Sequence, residues 1–360
     1  MRITIVGGGN MGTLMAAEFA SRSHDVTVYT SAPERWQKRL VAFDVDGAVV
    51  YEGEVSKITS DVRCAADAEY IFVTLPSIAQ ADFVKKLLPY VKADTKIGVV
   101  PGYGGAEFIF KPLVDAGAHL FGFQRVHAIT RIFEYGKTVC MKGRKDSVFL
   151  GALDRSDIPA LCEDMESLFD MPCVALPNYL CVTLTPSNPI LHTSRLYGML
   201  GENNIDHVYD RNILFYEEWT DRDSELLFSA DEELQRICKK IVRADLSSVR
   251  SLKDHYESHS IGAMTNKIRS ISAFRGIGSP MKAVDGGWIA DLDSRYFSCD
   301  FAYGLDLLCQ LGKVLSVATP TMDEMMGWYR DISGMEKRVL DLESCGIDSL
   351  DSIYKFYNII

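Results

Sequence analysis

Arg2-Ile3-Thr4-Ile5-Val6-Gly7-Gly8-Gly9-Asn10-Met11-Gly12 opens the chain, and its reading decides the fold. The first five residues are a short β-branched run, the pattern of a strand buried on both faces. It runs into G-x-G-x-x-G at Gly7, Gly9 and Gly12. A helix-forming apolar run (Leu14 to Phe19) follows, then a second strand, Asp25-Val26-Thr27-Val28-Tyr29. Each glycine has a physical reason. Gly7 allows the tight turn off the strand, Gly9 lets backbone N–H groups approach a pyrophosphate, and Gly12 lets the helix pack close to the strand. The phosphates would lie at the positive end of the helix dipole, beside Asn10 and Met11. A glycine triplet alone also makes plain turns, but strand, glycines, helix and second strand in this order point to a nucleotide-binding βαβ unit.

The end of the second strand bears on which nucleotide. A free ribose 2′-OH usually meets Asp or Glu there, about 20 residues past the glycines. This chain has Thr30 and Ser31, with Arg35 just beyond. Hydroxyls and a guanidinium fork suit a 2′-phosphate, so the reading leans to NADP, with NAD as the alternative. Glu34 is near enough to serve as the acid if the loop turns differently.

At 360 residues the chain has room for two domains. The balance of 38 basic against 49 acidic residues gives net charge −11, which argues against nucleic acid or an anionic membrane as partner. Any anionic substrate must then be met by a few local cations. Nine scattered cysteines without a CxxC pair indicate neither a disulfide framework nor a metal site. The first apolar run is short and already used as a strand, so no signal peptide is expected. No stretch approaches the ~20 apolar residues of a membrane span. The expectation is a cytoplasmic protein.

Further strands read at Val49–Val55 (a small antiparallel excursion), Ala68–Leu75, Lys96–Val100, Leu120–Phe123, Thr138–Gly143 and Val148–Leu150, with a last one in Val174–Leu184. In a doubly wound, mostly parallel sheet, Leu75 and Pro76 would lie beside the nicotinamide half of the cofactor. The glycine-dense loop Pro101-Gly102-Tyr103-Gly104-Gly105 would let backbone close over cofactor or substrate. From Pro186 onward the pattern turns helical, with capping boxes at Ser229–Glu232 and Thr321–Glu324 and a short surface helix over 349–360. The expected division is therefore 1–184, an α/β dinucleotide-binding domain, and 185–360, an all-α domain with the substrate and catalytic groups.

A hydride carrier also needs a group that moves a proton. Among the seven histidines, His24, His119, His207, His255 and His259 fall in bland polar settings. His127, in Arg125-Val126-His127-Ala128-Ile129-Thr130-Arg131, is expected on the first domain's cleft side. His192 is better placed. It follows Ser187-Asn188-Pro189, where Asn188 would cap a helix and Pro189 suits its first position. That sets His192 one turn into the second domain, facing the interdomain crevice. Both a catalytic and a capped structural histidine fit this pattern. Downstream, Ser294-Arg295-Tyr296-Phe297-Ser298-Cys299-Asp300 is either a surface ion pair or a functional set. In the second case Arg295 grips a carboxylate bidentately and Asp300 orients His192.

Taken together, the chain resembles the octopine/nopaline (opine) dehydrogenase family. The glycine turn, Pro101–Gly105, Arg131-Ile132-Phe133-Glu134-Tyr135-Gly136-Lys137, Asn188-Pro189 with His192, and Arg295-Tyr296-Phe297 with Asp300 and Tyr303-Gly304-Leu305 carry the resemblance. It implies an oxidoreductase that reductively condenses an amino acid with an α-keto acid at the expense of NADH or NADPH. It also implies a Rossmann domain followed by a helical domain like the C-terminal one of 6-phosphogluconate dehydrogenase. The family's catalytic His, partner Asp and substrate-carboxylate Arg map to His192, Asp300 and Arg295, with Asn188, Arg131 and Tyr103 as further substrate contacts. Cys299 stands where the family often has an acid, and Ala302 where it often has Pro. Reduction of a C=O, as in ketopantoate reductases or β-hydroxyacid dehydrogenases, is the second enzyme reading. A nucleotide-binding sensor without turnover is the third. A homodimer is left open.

Overall fold

The computed structural model describes residues 1–202 and 205–359. Two compact units divide it, Met1–Thr183 and Leu184–Ile360. The first is built on an eight-stranded sheet. Its strands are β1 (Arg2–Val6), β2 (Asp25–Tyr29), β5 (Lys57–Thr59), β6 (Tyr70–Val73), β7 (Lys96–Val99), β8 (His119–Phe123), β11 (Val148–Ala152) and β12 (Cys173–Ala175). They lie in the order β12-β11-β8-β7-β6-β1-β2-β5, parallel throughout except for the antiparallel β11–β8 pair. Central strands such as Tyr-Ile-Phe-Val at 70–73 are buried along their whole length, as a sheet covered on both faces requires. Phe19, Phe72, Phe121, Phe123 and Phe169 meet edge-to-face or tilted in the core beneath it.

The antiparallel excursion grows into a second sheet. In it β3 (Arg39–Phe43), β4 (Val49–Glu54), β9 (Ala128–Glu134) and β10 (Thr138–Arg144) take the order β4-β3-β10-β9. The glycine-led helix Asn10–Ser21 packs on this sheet as well as on β1 and β2, so its residues 12–19 are all buried.

The stretch Val174–Leu184, expected as a strand, is instead the three-residue β12, which begins at Cys173, followed by the helical turn Leu180–Thr183. Tyr179, fully buried, explains the change. Its hydroxyl donates to the Gly102 carbonyl at 2.9 Å, folding the segment back onto the loop after β7.

The second unit is helical apart from one hairpin, β13 (Met281–Val284) with β14 (Gly287–Ala290), which the all-α expectation did not include. Its longest helix is Asp221–Lys240, whose capping box is Thr220 with Asp223, eight residues and more before the expected start at Ser229. A later helix spans Pro320–Ser333, beginning ahead of the expected Thr321 box because Pro320 fits a first helical position. The last helix, Leu350–Phe356, is capped by Ser349. As a surface helix does, it buries one face, Ile353 and Tyr354, while Asp351 and Lys355 stay exposed.

Candidate functional site

At the glycine turn, Gly7 has φ +112°, a conformation that glycine adopts at no steric cost. A Cβ on Gly12 would stand 1.9 Å from the Gly7 carbonyl oxygen, so helix and strand meet there only because the side chain is absent. Gly9 differs: no atom lies within 4 Å of where its Cβ would be. The helix beginning at Asn10 has neither a side-chain cap nor an acid in its first turn. Open space before an uncapped, 12-residue helix fits a pyrophosphate. The residues present therefore suit a dinucleotide.

Asn10 keeps its backbone towards that space while its side-chain Oδ1 accepts from the Ile132 N–H at 2.7 Å, tying the turn to β9. Met11 is half-buried against the core. Thr30 is buried, and its hydroxyl accepts from the Ala32 N–H. Ser31, Glu34 and Arg35 are exposed. The Arg35 guanidinium lies over the Tyr135 ring, 4.5 Å from its centroid. A Cβ on Gly8 would meet the Tyr135 hydroxyl at 2.9 Å, so Tyr135 links Arg35 to the glycine turn. Leu75 and Pro76 follow β6, with the Leu75 carbonyl accepting from Gln80 and Pro76 preceding the helix Ser77–Leu87.

Tyr103 is half-buried in the loop after β7. Arg131 lies on β9 and donates to the Thr130 carbonyl at 2.8 Å. His127 is not on an open face. It is buried, with Nε2 3.0 Å from Glu18 Oε2 and its ring 4.7 Å from that of Phe169. Glu18, on the first helix, is 109 residues away in sequence, so the pair that draws His127 inward had no local signal.

In the second unit, His192 lies one turn into the helix Asn188–Leu200. Asn188 is the first helical residue and not its cap. Ser187 holds that position, without a side-chain capping bond to the helix, and Pro189 comes second. Asp300 opens a π-helical turn, Asp300–Leu305, between the helices Arg295–Ser298 and Asp306–Val314. Such turns recur at functional sites. This one packs on the helix Asn188–Leu200, and Gly304 permits the approach, since a Cβ there would stand 2.6 Å from Pro189 Cγ.

The result is a buried pair: His192 Nδ1 lies 2.7 Å from Asp300 Oδ2, with residue exposures of 3% and 4%. A carboxylate only accepts, so Nδ1 carries the hydrogen. Nε2 of the neutral ring then accepts from the Tyr216 hydroxyl at 2.9 Å. Tyr296 packs against the imidazole, ring centroids 4.3 Å apart, and Phe215 meets it edge-on at 5.4 Å. The exposed Arg295 guanidinium lies over the Tyr296 ring at 5.1 Å. The structure thus brings Asp300 against His192, and His192 and Arg295 against one tyrosine. Asn188 shares their unit, whereas Arg131 and Tyr103 belong to the first.

Tyr216 was not legible in the sequence. It lies in Phe215-Tyr216-Glu217-Glu218-Trp219, a run outside any regular element and without periodicity.

Comparison with known proteins follows the same division. The family model of the NAD/NADP octopine/nopaline dehydrogenase α-helical domain matches residues 175–333, and that of ketopantoate reductase PanE/ApbA matches residues 3–152. Tauropine dehydrogenase of Arabella iricolor is 26% identical, over 93% of this chain and 92% of its own. Octopine dehydrogenase of Pecten maximus is 24% identical, over 93% and 91%. This chain is similar along nearly its whole length to octopine/nopaline (opine) dehydrogenases. A solved octopine dehydrogenase with NADH and L-arginine superposes on this chain with TM-score 0.81 at 21% identity, covering 98% of this chain and 97% of the other. A yersinopine dehydrogenase with NADP+ gives 0.66 at 11%, covering 99% of each. These likenesses concern the fold. No helix among the described residues is long and apolar enough to cross a membrane.

Proposed function

We propose that this chain is an opine dehydrogenase: it condenses an amino acid with an α-keto acid and reduces the resulting C=N bond with a nicotinamide dinucleotide. The observation that carries the reading is the buried His192–Asp300 pair with Arg295 one ring away. The named relatives are tauropine and octopine dehydrogenases, and solved octopine dehydrogenases are described with L-arginine, agmatine or pyruvate beside NADH.

A nicotinamide dinucleotide with its pyrophosphate held at the glycine turn would supply the hydride. The chain's own residues do the rest. Asp300, against Nδ1, stabilises the charged imidazolium and fixes the tautomer that leaves Nε2 as the proton-transferring atom. Arg295 presents a planar fork that matches a keto-acid carboxylate bidentately. Packing of Tyr296 and Phe215 around the imidazole keeps water from competing for the proton. Asn188, Arg131 and Tyr103 are the further substrate contacts. Thr30, Ser31 and Arg35 favour a 2′-phosphate, so NADPH is the preferred reductant. We assign the reaction to the cytoplasm, in keeping with nine free cysteines.

The test is a screen of amino acids against pyruvate, oxaloacetate and 2-oxoglutarate, each with NADH and NADPH, on wild type and His192→Ala. Wild type should oxidise NADPH only when amine and keto acid are both present. His192→Ala should lose about 10²–10⁴-fold in rate yet keep cofactor binding. Oxidation that ignores the amine would support C=O reduction, the chemistry suggested by the match of residues 3–152 to ketopantoate reductase.

A further inference from the structure

The helix Asn188–Leu200 carries two buried basic side chains three residues apart, His192 and Arg195, which lie on one side of it. Arg195 Nε donates to the Phe215 carbonyl at 2.9 Å and Nη2 to the Leu214 carbonyl at 3.3 Å, while Nη1 pairs with Asp223 at 2.7 Å. Arg195 therefore clamps the two residues that precede Tyr216. The Phe215 N–H, donating to the Ile277 carbonyl at 2.8 Å, holds the same segment from its other side. Between these fixed points the Tyr216 ring stacks on Phe274, centroids 4.0 Å apart and planes 17° apart. One helix thus positions both the imidazole and the hydroxyl that meets it.

We propose that Tyr216 is the hydroxyl through which His192 exchanges its proton with substrate, so that the acid–base unit is Asp300–His192–Tyr216. The proposal rests on the reductive-condensation reading above. Phenol oxygen can donate and accept at once, which a relay requires. In the transfer the Nε2–H bond of the imidazolium breaks and its proton joins the Tyr216 oxygen. The phenol's own proton leaves to the substrate heteroatom that gains an electron pair as the double bond is reduced. Nε2 keeps the electron pair of the broken bond, the positive charge leaves the ring, and the phenol ends as it began. The neutral imidazole then accepts again from Tyr216, across the 2.9 Å contact of Nε2 with the hydroxyl. Direct transfer from Nε2 would first have to displace a buried hydroxyl whose backbone is clamped.

Tyr216→Phe keeps the ring and its stacking on Phe274 and removes only the oxygen. With the best amine and keto-acid pair, kcat should fall about 10²–10⁴-fold while the keto-acid KM and cofactor binding stay near wild type. Fluorotyrosine at position 216 preserves shape and makes the phenol more acidic, so the pH profile of kcat should move with it, which a merely structural role would not do. In the cofactor-free protein, Tyr216→Phe should also shift the His192 Nε2 NMR resonance. Undiminished kcat in Tyr216→Phe, an unmoved pH profile with fluorotyrosine, or an unmoved Nε2 resonance overturns the relay. A wild-type protein inert to every amine and keto-acid pair fails the reaction reading and takes the relay with it. Active wild type beside an equally active Tyr216→Phe removes the relay alone.

Discussion

A buried imidazole with both nitrogens hydrogen-bonded has its orientation and tautomer settled before any ligand arrives. In His192 the carboxylate of Asp300 and the hydroxyl of Tyr216 do this from opposite edges of the ring. Arg295 is held differently, by its neighbour's aromatic face, and stays exposed at its guanidinium end. A cation over a tyrosine ring is worth about 0.5–1 kcal/mol at such a site, enough to help aim the fork. Arg295→Lys retains the charge but loses the planar fork. The keto-acid KM should rise by about 10-fold or more, with kcat much less affected, measured in steady state at saturating amine. An unchanged KM would move the carboxylate anchor elsewhere, with Arg131 the next candidate. His192, Asp300 and Arg295 were legible as residue types in recognisable local settings. Tyr216 and Arg195 were not, because their roles arise from a clamp between a helix and an irregular segment that no periodicity announces.

At the scale of elements, what positions the pair is the contact of a π-helical turn with a helix over 100 residues earlier. That contact depends on Gly304 lying against the Pro189 ring. Gly304→Ala would place a methyl group 2.6 Å from Pro189 Cγ, backed by a helix that cannot easily give way. Overpacking of this kind costs about 1–3 kcal/mol and here would push the turn outward, lengthening the Asp300–His192 bond. Thermal unfolding should show the lost stability and kcat should fall, whereas cofactor affinity, governed by the glycine turn, should not change. Loss of cofactor affinity instead would sink this account of Gly304.

The strand–glycine–helix unit was legible because its elements are contiguous and each local preference agrees with the fold. The second unit's helix starts were less so. Ser229–Glu232 has the composition of a capping box but lies inside the helix Asp221–Lys240, where Ala230 and Asp231 are buried and Asp231 accepts from the Leu252 N–H. Likewise Asn188 has a capping residue's identity one position too late.

At the scale of the molecule, the second unit is tied together by buried acids on that one helix. Asp223 pairs with Arg195, and Glu233 accepts from the Thr321 and Met322 N–H groups, capping the helix Pro320–Ser333. Asp231 accepts from the Leu252 N–H at 2.7 Å, holding the turn Leu252–His255. Among the described residues no cation is bonded to the Asp231 carboxylate, and burial pushes its carboxyl up to about 6 from 3.8. The folded state therefore binds this proton more tightly than the unfolded chain does. Its contribution to stability is fully present below pH 3.8 and is lost as pH rises through about 6, leaving a buried charge as a fixed penalty above that. The penalty is on the order of 3 kcal/mol at neutral pH, taking about 1.4 kcal/mol per unit. Asp231→Asn removes the charge and keeps an acceptor for Leu252. Its melting temperature should exceed that of wild type at pH 7–8 and converge on it towards pH 4. An offset between the two proteins that stays constant across this range would show instead that the carboxylate is satisfied as an anion by the Leu252 N–H and the Gln235 amide.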